Sequence, residues 1–402
     1  MGSYRRGIRI NRGQFVLQIL QVFLVGLMAG LERSALPALG RSLGLAPDAF
    51  FLLASFLISF GLVKGALNSV AGTLADRWGR KRVLLIGWLA GLPIPLMLWL
   101  APTWGCILVA NALLGFQQGF TWTMTVTSQI DLADSRERGL AVGINEATGY
   151  VGVGLAGFLT GALATAIGAR AGLALFSLSV VVLALLSSLT LRETLFWAHA
   201  EGQQAPSAPE PLGRAFVRIS FLNTSTRALC QGGVANKIAD AFVWALLPIL
   251  LRQEGLSPTG VGEVVGLYGA IWGLNQLWTG HLSDRIGRKG PIVAGFLLLV
   301  LSLAALGWLR GRLAWFLDAG GMGLGMALLY PNLIAAVSDV IPAQQRGQGL
   351  GVYRYWRDTG YAIGGLVLGG VAQISQDLRV PLELTALLVA LSGLWIALTP
   401  LR

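Results

Sequence analysis

Several carboxylates lie inside apolar stretches of this sequence, where an ionised side chain is rare. Three of them are Glu32, Glu146 and Asp240. A carboxylate held in an apolar cavity is harder to ionise than one in water, so it can bind and release protons near neutral pH. Ionisable groups within a membrane segment usually mark function. These three residues are therefore candidates for proton coupling.

Five basic side chains accompany the carboxylates in the apolar stretches: Arg33, Lys64, Lys237, Arg354 and Arg357. A buried cation needs a partner of opposite charge. Lys237 precedes Asp240 by three residues, which places both on one face of a helix. The two could form a purely structural pair or part of a transport site, and both readings stay open. The surplus of buried bases favours an anionic substrate.

Polar and aromatic residues on the same stretches could line a substrate cavity. Asn68 lies one helical turn after Lys64, and Trp272 and Gln276 repeat that spacing later in the chain. The further candidates are Gln118, Trp122, Tyr330 and Asp358. Some of the aromatic side chains could instead serve packing or the membrane interface.

Residues for catalysis or metal binding are scarce. The two histidines (His199 and His281) and the two cysteines (Cys106 and Cys230) have no metal-ligand spacing. No lysine is followed by serine or threonine, so the chain contains no P-loop. We therefore expect neither an enzyme nor an ATP-driven pump, and we expect no metal or cofactor.

The elements that must position these residues are membrane-spanning helices. The 402 residues are 54% hydrophobic and only 12% charged, whereas soluble domains carry about 25% charged residues. Stretches of about 20 apolar residues, the length that crosses a bilayer, recur along the chain. They fall at roughly 15–37, 50–73, 83–101, 105–128, 140–166, 171–191, 227–251, 260–281, 291–309, 313–337, 348–373 and 381–399. We predict an all-α, polytopic protein with twelve transmembrane helices.

The twelve stretches form two related halves. The segment from Gly72 through Asp76 to Lys81 returns as Gly280 through Asp284 to Lys289, and subtraction of the residue numbers gives an offset of 208. Glu146 and Arg354 are separated by the same offset, and they could serve as matched structural locks or as opposite halves of a gate. We predict two pseudo-symmetric six-helix bundles at 1–192 and 226–402, joined by a Pro-rich cytoplasmic linker at 193–225.

Basic residues are concentrated in alternate connections between the stretches. Arg5, Arg6, Arg9 and Arg12 precede the first stretch, and Arg77, Arg80, Lys81 and Arg82 follow the second. This asymmetry predicts cytoplasmic termini by the positive-inside rule. The net charge of +11 is therefore mostly a topology signal, and we expect no nucleic-acid partner.

The segment Gly72–Arg82 resembles the signature loop between helices 2 and 3 of the major facilitator superfamily (MFS). Its second copy lies between helices 8 and 9, as in that family, and the resemblance covers essentially the whole chain. It implies an alternating-access carrier, and it implies that Asp76 pins the start of helix 11 when the cytoplasmic side is closed. The predicted gating residues are Gly72, Asp76, Arg77, Gly79, Arg80, Asp131, Asp284, Arg285, Arg288 and Arg354.

The resemblance also ranks the buried charges. Helices 1 and 7 line the cavity in the family, so Glu32 and Asp240 become the first proton-coupling candidates and Glu146 the third. Helices 2 and 11 face each other in the family, which implies a charge network of Lys64, Asp358 and Arg357. The glycines of the fifth stretch are similar to the family's antiporter motif, but the motif's proline is missing.

These observations predict a secondary active transporter that moves a small organic solute by alternating access. We expect proton coupling and efflux of a drug or metabolite, with uptake or exchange of an organic anion as the alternative and a transporter-like sensor as a remote one. The expected partners are the solute, protons and the lipid bilayer. We expect a monomer in the inner (plasma) membrane of a bacterium.

Overall fold

The computed structural model describes residues 4–31, 39–40, 42–44, 50–201, 210–256 and 258–401. Within these residues the regular structure is helical and no strand is present. Short 3₁₀ turns precede two of the helices, and a π-helical turn covers Arg218–Leu222. The α-helices are α1 (Arg12–Gly30), α2 (Phe50–Trp78), α3 (Arg80–Gly91), α4 (Pro93–Leu100), α5 (Trp104–Leu132), α6 (Arg138–Ile167), α7 (Ala169–Ser188), α8 (Leu195–Glu201), α9 (Leu212–Val217), α10 (Thr224–Ala245), α11 (Leu247–Gln253), α12 (Pro258–Ile286), α13 (Lys289–Trp308), α14 (Arg312–Val340), α15 (Arg346–Ser375) and α16 (Arg379–Leu398).

Each of the twelve predicted stretches contains one long helix or two consecutive helices, so the predicted all-α, twelve-helix fold is confirmed. Two stretches are divided at a proline. Pro93 begins α4 directly after α3, and Pro248 is the second residue of α11, which bends by 41° from α10. Proline fits the first turn of a helix because the amide hydrogen it lacks would have no partner there.

Among the described helices, eight are long and apolar enough to cross a membrane, and α10 with α11 would make a ninth. Three more helices, α5, α12 and α15, have 29 or 30 residues but are more polar. These three carry many of the cavity candidates, among them Gln118, Gln276 and Arg357. These three long helices therefore hold polar side chains in the interior.

The chain forms two compact units. The first contains Met1–Ser135, Thr148–Leu212 and Pro342–Gly351, and the second contains Arg136–Ala147, Gly213–Ile341 and Val352–Arg402. Each unit thus combines most of one sequence half with a short segment of the other. The domain limits read from the sequence (1–192, 193–225 and 226–402) stay a prediction.

Glycines allow close backbone contact between α1 and α6 in the first unit. A Cβ atom built on Gly26 would overlap the carbonyl group of Gly149, and one on Gly152 would lie 3.0 Å from the amide nitrogen of Leu27. Small residues let membrane helices approach closely, which strengthens their dispersion contacts. By contrast, no described atom lies within 4 Å of a Cβ built on Gly154, on the exposed side of the same helix.

The variant Gly26→Ala should therefore destabilise the protein by about 1–3 kcal/mol, the usual effect of overpacking. Gly154→Ala is the matched control and should be neutral or stabilising, because alanine favours a helix more than glycine does. Thermal unfolding of both variants in detergent measures the difference. Equal melting temperatures for the two variants would contradict the contact between α1 and α6.

Candidate functional site

A buried ion pair lies at the centre of the second unit. Lys237 and Asp240 lie on one face of α10, where the Nζ atom of Lys237 is 2.8 Å from Oδ2 of Asp240. Tyr268 of α12 donates to Oδ1 of the same carboxylate at 2.9 Å, and Tyr361 of α15 donates to Oδ2. Lys237 also donates to the Tyr361 hydroxyl at 3.0 Å. Asp240 thus receives three hydrogen bonds from three helices.

Aromatic rings surround the ammonium group of Lys237. Its Nζ atom lies 4.8 Å from the ring centroid of Trp272 and 4.7 Å from those of Tyr330 and Tyr361. The negative face of an aromatic ring attracts a cation, most strongly where water is excluded. We call this group the lysine cage; its members are Lys237, Asp240, Tyr268, Trp272, Tyr330 and Tyr361. The spacing of Lys237 and Asp240 in the sequence predicted that they share a face, but it did not predict the tyrosines.

A second ion pair adjoins the lysine cage through Tyr330. Arg357 donates from Nε and Nη2 to Oδ1 of Asp358, at 2.7 and 2.6 Å. The guanidinium carbon of Arg357 lies 4.8 Å from the ring centroid of Tyr330, which therefore contacts two cations. Arg357 and Asp358 are thus partners. Lys64 belongs to the other unit, and its link to this pair stays a prediction.

A third ion pair joins α6 to α15 within the second unit. Nη2 of Arg354 lies 2.9 Å from Oε1 of Glu146, and both side chains are fully buried. The same Oε1 atom accepts a hydrogen bond of 3.1 Å from Asn145. The two charged residues occupy corresponding positions of the repeat, 208 residues apart. The sequence left open whether they form a structural lock or a gate, and that choice stays open.

The first unit has its own polar interior. Lys64 lies with its Nζ atom 5.0 Å from the ring centroid of Trp122 and 5.3 Å from that of Phe60. Asn68 accepts a hydrogen bond of 3.0 Å from Thr123, and Gln118 donates to the carbonyl oxygen of Val25 at 3.0 Å. These cavity candidates of the sequence are therefore buried together between α1, α2 and α5.

Three candidates need separate mention. Glu32 and Arg33 lie outside the described residues. Gln276 of α12 is buried in the second unit, and both polar atoms of its amide have no hydrogen-bond partner among the described residues.

The first copy of the signature loop contacts the start of α15. Asp76 accepts hydrogen bonds from the backbone amides of Gly347 (3.2 Å) and Gln348 (2.8 Å). A carboxylate at a helix N-terminus satisfies amides that have no partner within the helix, and it is favoured by the helix dipole. Arg80 bridges Asp76 and Asp131 at 2.8 and 2.9 Å. The contact implied by the family resemblance is present, and its role in gating stays a prediction.

The second copy of the loop repeats this geometry in the second unit. Asp284 accepts from the amides of Gly139 and Leu140 at the start of α6, each at 2.9 Å. Arg288 bridges Asp284 and Asp339 at 2.5 and 2.9 Å. Burial alone would lower the pKa of Arg288, but the two carboxylates outweigh burial and raise that pKa above its ordinary value.

Each of the two loops contains a glycine that permits its turn and an arginine that is exposed. Gly79 and Gly287 have φ angles of 95° and 88°, a conformation that residues with a side chain rarely adopt. Arg77 and Arg285 are exposed.

Sequence reasoning missed several residues of these sites. Tyr361 follows Arg357 by four residues, so it lies on the same face of α15, and that spacing was the available signal. Glu193 accepts hydrogen bonds from the backbone amides of Arg80 (2.7 Å) and Lys81 (3.1 Å) at the start of α3. In the sequence, Glu193 is marked only as an acidic residue next to the basic Arg192.

Fold and site together define a multi-pass membrane carrier with a charged, aromatic interior. The sequence matches the family model of the Major Facilitator Superfamily over residues 19–365 and 229–401. The chain belongs to the major facilitator superfamily, so the resemblance read from its loops is confirmed. It is a secondary transporter.

Its relatives include a transporter of an organic acid and a drug-resistance protein. The chain is 29% identical to the 3-(3-hydroxy-phenyl)propionate transporter of Escherichia coli over 89% of this chain and 88% of that protein. It is 26% identical to the class C tetracycline resistance protein of Escherichia coli over 79% of each chain. The crystal structure of the human organic anion transporter MFSD10 shares the fold, with a TM-score of 0.78, 17% identity and coverage of 96% and 99% of the two chains.

The pair of Glu146 and Arg354 allows a test by charge reversal. Glu146→Gln leaves a buried guanidinium without its carboxylate and should destabilise the protein by about 3–5 kcal/mol. The double variant E146R/R354E restores one acid and one base at corresponding positions, so we expect it to recover most of the lost melting temperature. Thermal unfolding in detergent measures this, with the single variants E146R and R354E as controls. A double variant no more stable than the worse single variant would show that the pair does not stabilise the protein.

Proposed function

We propose that this transporter carries small organic anions together with protons, by alternating access. One observation carries the proposal. The lysine cage encloses a carboxylate, Asp240, that a buried cation neutralises and three donors hold in place. Such a carboxylate can exchange its charge for a bound proton without leaving a net charge in the interior if another anion then balances Lys237.

Charge balance links the proton to the substrate. In the empty carrier the ionised Asp240 neutralises Lys237. When Asp240 takes up a proton, Lys237 becomes an uncompensated buried charge, which is strongly disfavoured. A bound organic anion removes that penalty. The interior is therefore neutral with both proton and anion bound, or with neither, and these are the two states that can cross between the aqueous sides.

The aromatic rings of the lysine cage indicate the rest of the substrate. Trp272, Tyr330 and Tyr361 offer flat apolar surface with polar edges, which suits an aromatic or otherwise apolar body. The name of the 3-(3-hydroxy-phenyl)propionate transporter describes such a molecule, a ring that bears a carboxylate. This relative supports the proposed substrate class.

Efflux of an amphipathic drug or metabolite is the second candidate. The similarity to the tetracycline resistance protein and the glycine-rich helix α6 favour it. A cationic substrate would have to displace Lys237 from Asp240, whereas an anion needs only a proton on Asp240. The lysine cage therefore favours the anion. For either substrate we propose a monomer in a bacterial inner membrane, with both termini cytoplasmic as the basic residues predict.

The proposal can be tested in proteoliposomes with an imposed pH gradient and a panel of aromatic and aliphatic carboxylates. The wild type should accumulate at least one carboxylate and take up protons with it. Asp240→Asn should lose accumulation driven by the pH gradient by at least about tenfold, equivalent to about 1.4 kcal/mol. It should keep exchange of labelled for unlabelled substrate, because its neutral side chain resembles the protonated carboxylate.

Asp318→Asn is the matched control, since Asp318 is a buried carboxylate of α14 outside the lysine cage. It should retain proton-driven accumulation. Transport of lipophilic cations and of no carboxylate would refute the proposal in favour of drug efflux. Full proton coupling in Asp240→Asn would exclude Asp240 as the proton-binding group.

A further inference from the structure

Arg357 differs from Lys237 in how its hydrogen-bond donors are used. The single nitrogen of Lys237 donates to both Asp240 and Tyr361. Arg357 donates hydrogen bonds from Nε and Nη2 to the same oxygen of Asp358. Its Nη1 atom has no hydrogen-bond partner among the described residues. The side chain is fully buried. A buried guanidinium donor without a partner is strongly disfavoured, and arginine cannot escape the penalty by losing its proton.

A second unused group lies on the same face of α15. Tyr353 precedes Arg357 by four residues, is fully buried, and its hydroxyl also has no hydrogen-bond partner in the described part of the chain. Both side chains pack on Gly233 of α10. A Cβ atom built there would lie 2.9 Å from Cε2 of Tyr353 and 3.2 Å from Cβ of Arg357. The missing side chain of Gly233 thus makes room for this pair.

Tyr330 lies against the first of these two groups. Its ring is 4.8 Å from the guanidinium carbon of Arg357 and offers an apolar face beside that side chain. Carboxylate oxygens accept hydrogen bonds from arginine N–H groups and from tyrosine hydroxyls, and bonds to an ionised group are strong. A ring next to them suits the apolar body of a small carboxylic acid.

We propose that Arg357 and Tyr353 form the subsite that binds the carboxylate of the substrate, while Tyr330 packs against its apolar body. This inference rests on the proposed transport of organic anions. It assigns different roles in that transport to the two buried cations. Arg357 recognises the anion, and Lys237 with Asp240 responds to the proton. Because both subsite groups are buried, the side chains or helices that cover them must move for the substrate to enter.

The subsite predicts selection for a carboxylate over the matching carboxamide. A site whose buried donors remain unpaired rejects the analogue that cannot satisfy them, with ratios that can reach about 10⁴. Arg357→Lys keeps the charge but loses the planar fork of donors, so it is not a conservative change here. Tyr353→Phe removes one hydroxyl and leaves the packing on Gly233 intact.

The test measures transport of 3-(3-hydroxyphenyl)propionate, further aromatic carboxylates and their carboxamides in proteoliposomes. In the wild type we expect the carboxylates to be preferred by at least about a hundredfold. Arg357→Lys should raise KM for carboxylates at least about tenfold and reduce the preference over carboxamides, with an unchanged pH profile. Tyr353→Phe should raise KM about threefold to tenfold without loss of stability. This variant still tests the subsite if Arg357→Lys does not fold.

Arg252→Lys, at an exposed arginine of α11, is the control and should leave both KM and preference unchanged. Wild-type transport of carboxylates with unaltered KM and preference in both subsite variants would overturn the subsite and leave the proposed function standing. An altered pH profile with unaltered KM in the subsite variants would overturn the assignment of substrate binding to Arg357 and of proton binding to Asp240. If the wild type transports no carboxylate, the proposed function fails, and the subsite fails with it.

Discussion

A charge buried in a membrane helix must be neutralised close by, because lipid and packed protein solvate it far less well than water does. Three ion pairs of the second unit meet this constraint: Lys237 with Asp240, Arg354 with Glu146, and Arg357 with Asp358. Each pair is neutral by itself. A proton or an anion that binds to any of these pairs must therefore be matched by a second change of charge. This requirement for neutrality can by itself link the binding of two solutes.

The same constraint explains how the two loop copies are built. Asp76 and Asp284 each reach the free amides at the start of a long helix, and an arginine then joins each carboxylate to a second one. Such contacts need the backbones to approach closely. A Cβ atom on Gly72 would overlap Gly347, and one on Gly280 would overlap Gly139, so glycine at these positions permits the electrostatic contact. Backbone packing and charge pairing thus depend on the same few residues.

Hydropathy and the repeat were sufficient to predict the helices. The length of a membrane span and the offset of a duplication can both be read from the linear sequence, without knowledge of how the helices pack. The stretch predicted at 105–128 is helical from Trp104 to Leu132, and its polar end escaped prediction because hydropathy cannot follow a buried polar helix. Within the site, local spacing predicted the pairing of Lys237 with Asp240. It could not predict Tyr361, 121 residues from Asp240, or the partner of Glu146, because such contacts depend on how distant helices pack.

The different chemistry of lysine and arginine supports the proposed division between proton coupling and substrate recognition. An ammonium group is a compact point charge with its donors on a single nitrogen, and the Nζ atom of Lys237 pairs directly with Asp240. A guanidinium remains charged at any physiological pH and presents several donors in a fixed plane. Arg357 can therefore hold Asp358 with one edge and keep Nη1 for a second acceptor. Tyr330, in contact with both cations, would link the two proposed tasks, since a ligand that moved this ring would change the surroundings of Lys237 as well.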